Sequence, residues 1–74
     1  MTLDEFDATY RAFCRRRPFR TFSIEFTSGE LLAISHPEAV RRERSLYAVK
    51  TPTNEDIVFT AASVCRVLDE PADS

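Results

Sequence analysis

Glycine is almost missing from this chain: Gly29 stands alone among 74 residues. Loops that cradle phosphates need several glycines so that backbone N–H groups can approach the ligand, and one glycine does not build one. Histidine is equally sparse, with His36 alone, and the two cysteines, Cys14 and Cys65, lie far apart. Three such residues fall short of the roughly four ligands of a structural zinc site, and two cysteines make no disulfide framework. No apolar run approaches the ~20 residues of a membrane-spanning helix. The opening Met1-Thr2-Leu3-Asp4-Glu5 is acidic, where a secretory signal starts basic and turns apolar. The expected compartment is therefore the cytosol, with both thiols reduced.

Neither sign of charge dominates. Ten basic against twelve acidic residues give a net charge of −2, which argues against wholesale attraction to nucleic acid. The distribution is uneven, however: nine of the ten basic residues lie between Arg11 and Lys50, and both ends are acidic. Six Phe and two Tyr supply the large apolar surfaces of a core. A chain of this length forms one domain, expected over residues 1–70, with residues 71–74 as an acidic tail. It buries only about 60% of its unfolded surface, so help from association is expected.

Thr2 and Glu5 have the spacing of a capping box, in which each side chain takes the other's backbone N–H. Leu3, Phe6, Tyr10, Phe13, Cys14 and Arg17 then recur at three and four, one stripe of an amphipathic helix expected over 3–16. Pro18 stops it. From residue 22 the period shortens to two: Phe22, Ile24 and Phe26 alternate with Ser23, Glu25 and Thr27, as in a strand with one buried face. Ser28-Gly29 suits a reversal, and residues 30–35 return. Pro37 is placed to open a short helical turn, after which 41–44 reads as a solvated connection. Strands are expected again at 45–51, 57–60 and 65–68. A helical turn capped by Thr60 separates the last two.

A helix followed by five short antiparallel strands defines an α+β fold. Its order resembles a strongly bent five-stranded sheet of the SH3-like small-barrel kind, and with the leading helix the Sm-like (Hfq-type) variant. The alternative is an open antiparallel sheet with the helix on one face. The Sm-like resemblance rests on Arg15-Arg16-Arg17 ahead of Pro18, on the strand ending at Gly29, and on the final segment 57–68. It implies a ring-forming, RNA-binding regulator. The chain departs from that family at the uridine pocket, where Phe59-Thr60-Ala61-Ala62 stands in place of a Tyr-Lys-His motif, and in lacking a bend glycine after Gly29. A second resemblance runs from Pro18-Phe19-Arg20-Thr21-Phe22 through Gly29 to His36-Pro37-Glu38. It is similar to a PF-x-PF pattern in short bacterial proteins and implies no chemistry.

Arg11, Arg15, Arg16, Arg17 and Arg20 are the candidate anion- or RNA-binding residues, because the guanidinium fork matches phosphate oxygens. The competing reading is a helix C-terminus neutralised by cations. His36 beside Pro37 reads as a turn residue, and Cys14 and Cys65 as small buried apolar groups. No residues pair as nucleophile and base, so no catalytic, metal or cofactor site is expected, and no small-molecule substrate. The expected function is a non-enzymatic interaction module whose partner is a second copy or another protein, with RNA as the alternative partner.

Overall fold

The computed structural model describes residues 1–51 and 53–69; the expected tail at 71–74 lies outside them. Helix α1 spans Leu3–Cys14, and the capping box is made from both sides. Glu5 N–H donates to Thr2 Oγ1 at 3.1 Å, and Thr2 N–H to a Glu5 carboxylate oxygen at 3.0 Å. The helix ends two residues before its expected limit, with Arg15 as the C-cap. The Arg17–Pro18 peptide is cis.

Six strands follow: β1 (Phe22–Phe26), β2 (Leu31–Ile34), β3 (Val40–Glu43), β4 (Leu46–Lys50), β5 (Asp56–Thr60) and β6 (Val64–Leu68). They form two three-stranded antiparallel sheets, ordered β2-β1-β6 and β3-β4-β5. One 3-10 turn, Ala61–Ser63, carries the chain from the second sheet back to the first. Thr60 is its N-cap as expected, though its side chain makes no capping bond.

Six strands in two separate sheets replace the expected five in one bent sheet, and the difference arises at residues 36–44. Residues 36–39 form a single β-turn, in which Ala39 N–H donates to His36 C=O at 3.1 Å, and not the helical turn expected at Pro37. Proline fits the second position of such a turn as well as the first position of a helix. The supposed connection at 41–44 is instead strand β3, paired along its length with β4 from Val40–Val49 to Glu43–Leu46. Only Val40 of that strand is buried, so its alternation is too short to show in the sequence. Arg44 takes a left-handed φ of 60° in the two-residue reversal before β4.

The core lies between the sheets and beneath the helix. Phe6 of α1 is fully buried, with Tyr10, Tyr47 and Phe59 around it at ring separations of 5.3, 4.7 and 5.7 Å. Phe22, Ile24, Ile34, Val49 and Val64 complete the interior. Each such side chain contributes roughly 1.5–3 kcal/mol by leaving water. Ser23 is buried along with Phe22 and Ile24, so the start of β1 is enclosed on both faces and not on the one that its alternation implies.

Candidate interaction surfaces

Three of the five candidate arginines, Arg11, Arg16 and Arg20, form ion pairs. Arg11 turns back along α1 to Asp7, Nε to Oδ2 at 2.9 Å. Arg16 reaches Asp69 with Nη1 at 2.6 Å and the Arg20 carbonyl with Nη2 at 3.2 Å, while its guanidinium lies 4.6 Å from the Phe13 ring centroid. Arg20 also approaches Asp69, at 3.8 Å. Arg16 thus straps the end of the helix to the end of β6. Arg15 and Arg17 are exposed and form no ion pair among the described residues.

Asp7 is the better-built polar centre. Tyr47 Oη donates to its Oδ1 at 2.9 Å, Arg42 Nη1 lies 3.1 Å from the same oxygen, and Arg11 holds the other. Burial opposes ionisation of Asp7, but the bonds from Tyr47, Arg11 and Arg42 outweigh it and hold the carboxyl below its ordinary value. Tyr47 responds in the opposite sense: burial and the Asp7 hydrogen bond push its hydroxyl up to about 12. The network joins helix to sheet, and Arg42, read from sequence as solvated, is part of it.

The two thiols differ. Cys14 is half-buried on α1, and burial raises its thiol above the ordinary value. Cys65 is exposed, against the expectation that both would be buried. The β1–β6 register steps from Glu25–Arg66 to Phe26–Val64, so Cys65 is the extra residue of a bulge and turns outward.

The sheet edges present backbone groups that no ladder uses. Thr51 N–H donates to Glu55 C=O at 2.8 Å, which fixes the phase of the β4–β5 ladder. Bonded and non-bonded pairs alternate in an antiparallel ladder. The Val49–Ile57 and Tyr47–Phe59 pairs therefore exchange bonds, while Asp56, Val58 and Thr60 direct N–H and C=O away from β4. Since β5 ends its sheet among the described residues, this row is an open edge, except that the Thr60 C=O accepts from Ser63 Oγ at 2.7 Å. Val58 sits at its centre with its side chain 60% exposed, and Leu46 of β4 is exposed on the same outer face. Beside the edge, a cleft of about 260 Å³ runs between β5 and the β1–β2 hairpin, with Phe26, Ile57 and Phe59 in its walls. A larger cavity, about 430 Å³, lies in the crook where the chain leaves β2 for β3, with His36 on its rim and no cysteine in its walls.

No protein-family model, curated protein or solved structure matches the chain. The described residues contain no helix long and apolar enough to cross a membrane. Fold and surface together define an α+β domain of two small antiparallel sheets roofed by one helix, with exposed strand edges.

Proposed function

We propose that this chain is a non-enzymatic interaction module, built on an SH3-like or Sm-like small barrel, that associates with further copies through strand β5. The observation that carries the reading is the free β5 edge, whose outward backbone groups flank an exposed Val58. An unpaired edge with an apolar centre is a template for another strand. The occupant is β5 of a second copy, because β6 has the helix packed against it and a bulge at Cys65; two identical edges meeting in this way pair about a two-fold axis and close as a dimer. Five paired residues on each side make a small contact, below the ~1,200 Å² of stable interfaces, so assembly is concentration-dependent. Sedimentation velocity and native mass spectrometry from micromolar to millimolar protein test this. Mass rises with concentration in the native chain and stays monomeric in Val58→Lys, which places a charge on the edge. A native chain that is monomeric throughout would overturn the reading.

A second reading, RNA binding, is favoured by the exposure of Arg15 and Arg17, which form no ion pair among the described residues. Few phosphates would be neutralised, so binding to a short RNA would be weak and steeply salt-dependent. It would be lost in the Arg15→Ala, Arg17→Ala double variant. An unchanged mobility of short RNA at low salt removes this reading and leaves the first intact.

A further inference from the structure

We infer that the edge of β2, with the cavity beside it, is a docking site for an extended peptide of another protein that carries alternate apolar side chains between basic ends. The case starts in the β1–β2 ladder. Phe26 N–H donates to Glu30 C=O at 2.9 Å, and the same register continues through Glu25–Leu31, Ile24–Leu32, Ser23–Ala33 and Phe22–Ile34. By alternation Ile24–Leu32 and Phe22–Ile34 are the bonded pairs. The N–H and C=O of Leu31 and Ala33 consequently point away from β1. β2 ends its sheet, and both residues are exposed. An extended backbone is the ligand that a row of free, alternating donors and acceptors fits.

The cavity says what the side chains of that ligand are. It borders Leu32 and Ala33 of β2 and is closed on the far side by Val49, Lys50 and Thr51, with Ala39 of the turn between. Leu32, Ala39 and Val49 make its apolar part. A strand added to β2 turns every second side chain to the inner face, where this space lies. About 430 Å³ holds two side chains of valine or leucine size.

Charge selects the ends. Glu30 opens β2 and Glu38 lines the cavity, and neither forms an ion pair among the described residues. The cation on the rim, Lys50, lies 3.9 Å from Asp56. The complement is therefore a segment with a basic residue at each end. Within this chain the extended segment of that description is Arg44 through Lys50, which contains β4 (Leu46–Lys50), the central strand of its own sheet. A second copy cannot supply it without unfolding, which points to a different protein.

This site is independent of the β5 edge, and its test keeps the two apart. The probe is a dye-labelled, end-blocked heptapeptide, Lys-Thr-Val-Thr-Val-Thr-Lys, with a control in which both lysines are glutamate, followed by fluorescence anisotropy. The basic peptide is expected to saturate the protein and to bind at least about tenfold more tightly than the acidic one. Ala33→Pro removes an N–H that β1 does not use, so it keeps the thermal midpoint while weakening the peptide at least about tenfold. Should Ala33→Pro fail to fold, Glu38→Lys still decides, because it weakens the basic peptide and strengthens the acidic one. Val58→Lys leaves both affinities unchanged. Absence of saturable binding, equal affinity for the two peptides, or native affinity in Glu38→Lys would each overturn the assignment.

Discussion

Replacing Asp7 by alanine tests whether the polar centre under α1 holds the helix on the sheet. The substitution strips the acceptor from the hydroxyl of Tyr47, a residue with no exposed surface. An orphaned buried hydroxyl costs about 1–3 kcal/mol. The pair with Arg42, whose side chain is 34% exposed, adds roughly 0.3–0.5 kcal/mol, and the more exposed pair with Arg11 adds little. Alanine returns about 0.6 kcal/mol in helix propensity. The net expectation is a loss of about 2 kcal/mol, or roughly 8–16 °C in thermal midpoint for a domain of this size. Urea denaturation of Asp7→Ala, Tyr47→Phe and the double variant closes a cycle, in which the second change costs much less once the first is made, with a coupling of about 1 kcal/mol or more. The pH dependence follows from the direction of the shift. Asp7 has a folded value below its unfolded one, so its contribution is complete above the unfolded carboxylate range of ~3.9 and is lost as pH falls through the lower folded value. The difference between native and Asp7→Ala stability therefore shrinks on acidification through that window. A cost under about 0.5 kcal/mol at neutral pH, or a coupling near zero, would refute the reasoning.

Three further outcomes are expected. Thr2→Ala removes the capping hydroxyl and lowers stability by about 1 kcal/mol in urea denaturation, with a loss of far-UV helical signal on heating ahead of the main transition. Arg44→Gly relieves a left-handed φ of 60° and is neutral to stabilising by up to about 1 kcal/mol, because the side chain's strain offsets glycine's larger unfolded-state entropy. Arg42 donates to the Arg44 carbonyl, which glycine retains, so a marked loss of stability would contradict this account. A thiol reagent at neutral pH labels Cys65 in a fast phase and Cys14 in a slow one, and Cys65→Ser removes the fast phase alone.

The elements readable in the sequence are those with a local cause. The capping box needs two side chains three residues apart, and Thr2 and Glu5 form it as written. The alternation from Phe22 and the reversal at Gly29, with its φ of 93°, are equally local, and β1 and β2 follow from them. Strand β3 was illegible because Arg41, Arg42 and Glu43 are charged and exposed, and only pairing with β4 makes them a strand. The division into two sheets has a similar origin: the turn at 36–39 breaks what one bent strand would have joined. The arginine cluster shows what closeness in sequence leaves out. Five arginines close in sequence read as a patch, yet Asp7 and Asp69, the latter 53 residues from Arg16, draw three of them into ion pairs. The edges and the cavity carry no sequence signature, since they depend on which strands lack neighbours.

Two sheets of three strands leave four edges, and the chain treats them differently. β3 presents Arg41, Arg42 and Glu43, charged side chains that discourage an incoming strand. β6 has the helix packed against it and a bulge at Cys65 that interrupts its regular repeat. β2 and β5 have neither protection: each carries one large apolar side chain, Leu31 or Val58, that is 60% exposed, and each borders an apolar recess. Guarding two edges takes only a few charged residues and a helix already present, so extending the same treatment to the other two required no new architecture. A bare apolar edge promotes aggregation unless a defined strand occupies it. The two unguarded edges also differ in their charges. Asp56 on β5 is compensated by Arg41 and Lys50, which suits contact with an identical chain, whereas Glu30 and Glu38 beside β2 are left for a basic partner to neutralise.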